Sequence, residues 1–254
     1  MTARAGLPVE EALSALRLAL THRNCVVLEA PPGAGKTTRV PPALLNETWL
    51  ANQRIVMLEP RRLAARSAAH YMARQLNETV GHTIGFRVRG ETRVGARTRV
   101  EVVTEGILAR LLSADAALDG IGLVIFDEFH ERSLHADLGL ALTLQTQQLL
   151  RPDLRLLVMS ATIDGDAVAD LLHDDEGVAA PVVRSAGRMF PVGTEYRPAR
   201  TDERIESAVT RTVLEAVQQH EGDLLVFLPG AGEQRRVAER LFGNTVLQQA
   251  RARV

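Results

Sequence analysis

The chain has 254 residues, 46% of them hydrophobic and 24% charged, with 30 basic against 31 acidic side chains and a formal net charge of −1. That balance excludes a disordered chain, which combines low hydrophobicity with high net charge, and it requires any basic binding surface to be local. The single cysteine, Cys25, rules out an internal disulfide and reads as a small buried hydrophobe in a reducing compartment.

In chain order, an amphipathic helix is expected over residues 9–21, where Leu13, Leu16 and Leu20 follow helical spacing and need no partner beyond a core. Apolar runs bounded by turn residues at 25–29, 54–58, 99–104, 123–126 and 155–159 predict strands buried on both faces. Helical patterns at 63–76, 106–112 and 134–150 lie between them, which is the alternation of a parallel α/β sheet flanked by helices. The pattern loosens after Asp164 and resumes at Val182 and Val183. Domains are therefore expected at 1–180 and 181–254, the second with a helix near 205–220 and a strand at 224–228 but too short to finish an independent sheet. The N-terminus lacks a cleavable leader pattern, and no run of about 18 apolar residues occurs, so no membrane span and a cytoplasmic location are expected.

The first predicted strand runs into Ala30, Pro31, Pro32, Gly33, Ala34, Gly35, Lys36, Thr37 and Thr38, a candidate phosphate-binding loop opening a helix. Small residues there let successive backbone N–H groups point at an anion, and the helix N-terminus favours negative charge. Lys36 would reach the terminal phosphates and the Thr37 hydroxyl would ligate a bridging Mg²⁺. Ala30 stands where the general pattern has its first glycine.

The strand at 123–126 ends in Asp127 and Glu128, at the carboxyl edge where ligands bind in open α/β sheets. Asp127 fits a role in holding Mg²⁺, and Glu128 can orient or deprotonate an attacking water, so Thr37, Asp127 and Glu128 form the metal-side set. Taken alone, an Asp-Glu pair could merely end a strand and cap a helix, and Ser160-Ala161-Thr162 could be a helix cap. His130 and His135 lie five apart, which does not match a helical zinc pair.

The ordered set of motifs resembles the superfamily 2 helicases, in particular the DEAH-box RNA helicases and their bacterial HrpB-type branch. Residues 30–37 resemble motif I, Pro60-Arg61-Arg62 motif Ia, Thr104-Glu105-Gly106 motif Ib, and Asp127-Glu128-Phe129-His130 motif II. Ser160 to Thr162 resembles motif III, and Val226-Phe227-Leu228 motif IV. The resemblance implies a RecA-like sheet followed by the start of a second such lobe, with residues 187–192 leading from one to the other. It implies use of ATP, with other nucleoside triphosphates possible, and Mg²⁺, with Lys36, Asp127, Glu128 and His130 in the catalytic set. Arg61, Arg62, Thr104, Glu105 and Gly106 would touch the backbone of single-stranded RNA, a contact that does not by itself exclude DNA. Ser160, Thr162 and His130 would couple the two sites, and a monomer is expected.

A further basic cluster at Arg87, Arg89, Arg93, Arg97 and Arg99 has hardly any aromatic interleaving, so base stacking is poorly supported there. No Asn-Lys-x-Asp guanine-reading motif is present. The pattern stops after motif IV, and motifs V and VI with their arginine finger are not found, which reads as truncation within the second lobe. Because such an arginine contributes about 10³ to 10⁵ in rate in other nucleoside triphosphatases, weak hydrolysis is expected of this stretch alone. The alternatives are a non-catalytic RNA- or partner-binding module and a DNA translocase.

Overall fold

The computed structural model describes residues 7–161, 165–174, 176–186 and 191–249. The chain divides into two compact units, Met1–Met189 and Phe190–Val254.

The first unit runs α1 (Val9–His22), β1 (Cys25–Glu29), α2 (Lys36–Ala43), β2 (Arg54–Leu58), α3 (Arg62–Gln75), β3 (Ile84–Val88), β4 (Glu91–Arg93), β5 (Val100–Val103) and α4 (Glu105–Ala114). It continues with β6 (Ile121–Phe126), α5 (Leu134–Leu149), β7 (Arg155–Ser160), α6 (Gly165–Leu171) and β8 (Val182–Arg184). These strands form one sheet in the order β4-β3-β5-β2-β6-β7-β1-β8. Only β4 is antiparallel, paired with β3 as an edge hairpin.

The continuous apolar runs have a direct structural cause. Successive strand residues point to opposite faces, and here both faces are covered. Val26 and Leu28 of β1, Ile55 and Met57 of β2, and Leu123 and Ile125 of β6 join one core with Val9, Val40 and Ala69 from α1, α2 and α3. The intervening residues Val27, Val56, Val124 and Phe126 join a second core with Leu108, Leu140 and Val168 from α4, α5 and α6. A strand facing water on one side would have to alternate apolar with polar residues.

The basic cluster anticipated around β3 and β4 is largely committed to structure. Glu101, buried in β5, sits between Arg54 at 3.3 Å and Arg87 in closer contact, and so ties three neighbouring strands together. Arg99 donates to the carbonyls of Gln53 and Leu45, and Arg97 meets the His82 ring. Arg89 is exposed at the hairpin turn beside Gly90, whose φ is +85°.

Two expectations are corrected. The anticipated boundary after residue 180 falls too early, because Val182–Arg184 pairs in parallel with β1 and completes the first sheet. The strand expected at 224–228 does not form; Leu225 and Phe227 are exposed, and no ladder partner for the segment exists among the described residues. An apolar run becomes a strand only where another strand satisfies its backbone groups. The second unit contains α7 (Ile205–Gln219), α8 (Ala231–Leu241) and α9 (Thr245–Gln249). Val237, Leu241 and Leu247 form its small core against Val209, Val213, Val217 and Leu228.

Candidate nucleotide and nucleic-acid site

Five of the parallel strands, β1, β2, β5, β6 and β7, deliver the sequence-nominated residues that the structure describes in the first unit to one edge, that of their carboxyl ends. Parallelism is what makes this possible, since all these strands point the same way.

After β1 the chain turns through residues 30–35 into α2. Gly33 (φ +77°) and Gly35 (φ +93°, the residue capping α2) occupy left-handed backbone that a side chain disfavours. Ala30 has no positive φ and is buried, so a methyl is tolerated where the general motif has glycine. The amide of Ala30 donates to Ser160 O at 3.0 Å, which joins the loop to the end of β7. The amide of Ala34 donates to Pro31 O at 3.2 Å, and that of Thr38 to Gly35 O at 3.3 Å. Pro32 and Gly33 are exposed at the loop tip. Behind the loop, the Val9 amide of α1 donates to Ala34 O at 3.1 Å, a support that no motif announces.

Lys36 is buried, and its Nζ donates to Ala30 O at 2.7 Å and Pro31 O at 3.5 Å, so the ammonium is satisfied by the carbonyls of its own loop. Its charge and the Thr37 hydroxyl both lie near enough to Asp127 to favour that carboxylate's ionised form. Asp127 is only 3% exposed. Oδ1 accepts the Glu128 amide at 2.9 Å, whereas Oδ2 is buried without a well-aligned hydrogen-bond donor. Burial dominates and raises the Asp127 carboxyl to about 6, against the opposing pull of Thr37 and Lys36.

Beside it lies a residue that motif reading passed over. Glu59, the first residue after β2, is 4% exposed, and its Oε2 also lacks a partner. Burial, followed by the charges of Asp127, Glu128 and Glu131, pushes its carboxyl up to about 8. Its place at a strand's carboxyl end, directly before Pro60-Arg61-Arg62, was the available signal. The neighbour it meets was not.

Glu128 adopts left-handed backbone (φ +51°) and starts a 3-10 turn over Phe129–Glu131. Phe129 anchors the turn by packing edge-on against Phe126, with the Arg132 guanidinium 5.6 Å from its ring centre. His130 Nδ1 lies 3.4 Å from Glu128 Oε2 and 3.4 Å from the Ala161 amide, which joins the Asp-Glu turn to the end of β7. One nitrogen cannot accept from the amide and donate to the carboxylate at once, so the ring's tautomer selects which contact is made. Ser160 is buried at the end of β7. Thr162 lies outside the described residues.

On the far side of β6, Arg61 is exposed and its Nη2 contacts Glu131 Oε1 at 2.8 Å. Arg62 is exposed in the first turn of α3. Thr104 precedes α4 and Gly106 is exposed with open space around its Cα, while Glu105 accepts a 2.6 Å hydrogen bond from the Ser133 hydroxyl, the N-cap of α5. The residues nominated for nucleic acid are thus joined by Glu131 and Ser133 to the chain that follows Asp127 and Glu128.

Among the described residues no group of three or more His, Cys, Asp or Glu side chains is arranged to hold a metal by itself. A hydroxyl at Thr37 and an unpartnered Asp127 oxygen do fit Mg²⁺, which takes one or two carboxylates and completes its shell with phosphates and water. No helix among the described residues is long and apolar enough to cross a membrane.

This is a RecA-like α/β sheet with its phosphate loop and acidic pair at one edge. The chain belongs to the DEAD/DEAH box helicase family, whose model matches residues 11–171. It is 50% identical over 244 residues to the ATP-dependent RNA helicase HrpB of Escherichia coli (strain K12), covering 95% of this chain and 29% of that protein. It is 32% identical over 256 residues to the probable ATP-dependent RNA helicase DHX35 of Homo sapiens, covering 98% of this chain and 36% of that protein. A crystal structure of the E. coli DEAH/RHA helicase HrpB superposes with a TM-score of 0.86 at 51% identity, covering 92% of this chain and 29% of that one. The chain therefore spans about a third of the length of these relatives.

Proposed function

We propose that residues up to Met189 form the nucleotide- and RNA-engaging lobe of an ATP-dependent RNA helicase, and that the unit from Phe190 opens the second lobe. The observation that carries this reading is the meeting of Lys36, Thr37 and the buried Asp127 from the ends of two non-adjacent strands. In this reading the amides around Gly33 and Gly35 cradle the triphosphate, and Lys36 exchanges its loop carbonyls for phosphate oxygens. Thr37 and Asp127 would hold magnesium, which when bound neutralises charge developing on the phosphates. Glu128 orients the attacking water and takes its proton. His130 links that turn to β7 through the Ala161 amide.

Arg61, Arg62, Thr104 and Gly106 bind RNA backbone without reading bases; the choice of RNA over DNA is supported by the names of the relatives. The full helicase cycle is proposed for the longer protein, and for this stretch alone nucleotide binding with feeble turnover. A cytoplasmic location completes the reading, supported by a lone buried thiol. Calorimetry with MgATP tests it: binding is expected for the wild type, with a loss of at least about tenfold in Lys36→Ala, equivalent to one charge-assisted contact. Equal heats for both proteins would end the nucleotide assignment.

A further inference from the structure

Two polar contacts join the proposed RNA surface to the turn that carries Glu128, and one of them is built to be exchanged. Arg61 Nη2 meets Glu131 Oε1 at 2.8 Å, with the arginine side chain 70% exposed and the glutamate 35%. Glu131 closes the 3-10 turn, since its amide donates to Glu128 O at 2.9 Å and the Arg132 amide to Phe129 O at 3.2 Å. The turn is bounded by two non-glycine residues in positive φ, Glu128 at +51° and Arg132 at +45°. Such backbone persists only where surrounding contacts hold it. The second contact, Ser133 Oγ to Glu105 Oε1 at 2.6 Å, is the less exposed of the two and ties α5 to α4.

A carboxylate and a backbone phosphate offer a guanidinium the same forked pair of anionic oxygens. An exposed ion pair of this kind is weak. We propose that Glu131 is the resident occupant of the Arg61 guanidinium, and that a phosphate of single-stranded RNA displaces it, releasing the turn that positions Glu128. RNA arrival is thereby relayed to the water-activating carboxylate through one exchanged ion pair. By reciprocity, whatever stabilises the Glu131-bound turn weakens RNA binding by the same factor. The inference rests on the RNA-backbone reading of Arg61 given above.

The test is a double-mutant cycle on the full chain, by fluorescence anisotropy with a short fluorescein-labelled oligouridylate at one fixed salt concentration. Arg61→Gln is expected to weaken binding. Glu131→Gln is expected to tighten it by about 1.5- to 5-fold, the span that exposed ion pairs cover, and this gain is expected to vanish in the Arg61→Gln background. Should the gain persist there undiminished, Glu131 acts only as a nearby negative charge, and the displacement falls while the RNA reading stands. No gain at all in Glu131→Gln also overturns it. If Arg61→Gln leaves the affinity unchanged, or the wild type binds no oligouridylate, the RNA reading fails and takes the inference with it. Urea midpoints confirm that each variant folds, and Arg61→Lys, which keeps the charge and loses the fork, serves as a second background.

Discussion

Alanine at the two loop glycines separates folding from ligand binding, because the structure places their missing Cβ atoms in opposite surroundings. At Gly33 (φ +77°) an added methyl would meet nothing within 4 Å, whereas at Gly35 (φ +93°) it would lie 2.7 Å from Leu7 Cδ1, 3.3 Å from Leu7 Cβ and 3.4 Å from Arg39 Cγ. Left-handed backbone costs a non-glycine residue about 1–2 kcal/mol. Gly33→Ala should therefore lose only this backbone cost, about 1–2 kcal/mol, since its methyl enters open space. Gly35→Ala should lose about 2–3 kcal/mol, because the movable end of Leu7 must rotate away and its Cβ and Arg39 must each give a few tenths of an ångström. Urea unfolding at constant m-value reads this difference. Calorimetry with MgATP should then invert the mildness of Gly33→Ala: its methyl occupies the exposed side of the loop, where phosphate must approach, and binding should fall at least about tenfold, a loss of about 1.4 kcal/mol. If Gly33→Ala bound nucleotide within twofold of the wild type, the loop amides would not be the phosphate cradle. A Gly35→Ala protein as stable as Gly33→Ala would refute the packing argument.

Glu59→Gln, in metal-free buffer with EDTA, should stabilise the protein increasingly as pH rises. The wild-type carboxyl is raised to about 8 by burial and then by Asp127. The folded state therefore holds a proton that the unfolded state releases near pH 4.5, and stability declines from about pH 5 until it levels off near pH 8. The glutamine variant should lead by about 2 kcal/mol or more at pH 8, and parallel stability-pH curves for the two proteins would remove the explanation. Glu101→Ala should cost about 2–3 kcal/mol in urea titrations. Losing a fully buried partner costs about 3–5 kcal/mol, and here Arg54 and Arg87 remain 36% exposed and regain water; a loss below about 0.5 kcal/mol would show the three-strand tie to be idle. Cys25, pushed up to about 11 by burial, should react slowly with thiol reagents at pH 8 and at once in denaturant. Equal rates in the two conditions would contradict its packing.

What could be read from the chain was whatever depends on neighbours in sequence. The loop from Ala30 to Thr38 follows from small residues beside a lysine and a hydroxyl, and the doubly buried strands follow from uninterrupted apolar runs such as 123–126, which lies within the strand Ile121–Phe126. The family followed from the order of such segments. Tertiary structure decided what depends on partners brought from afar. Three residues, Val182–Arg184, are a strand only because β1 offers its free edge, which moves the division of the chain to Met189. Leu224–Leu228, far more strand-like in composition, stays irregular where it has no such edge. Glu59 and Glu131 belong to none of the motifs read from the sequence; pairing of β2 with β6 sets the first against Asp127, and the turn after β6 sets the second against Arg61. Local chemistry is written in order along the chain, while burial and charge proximity are set by strand order, which no single segment encodes.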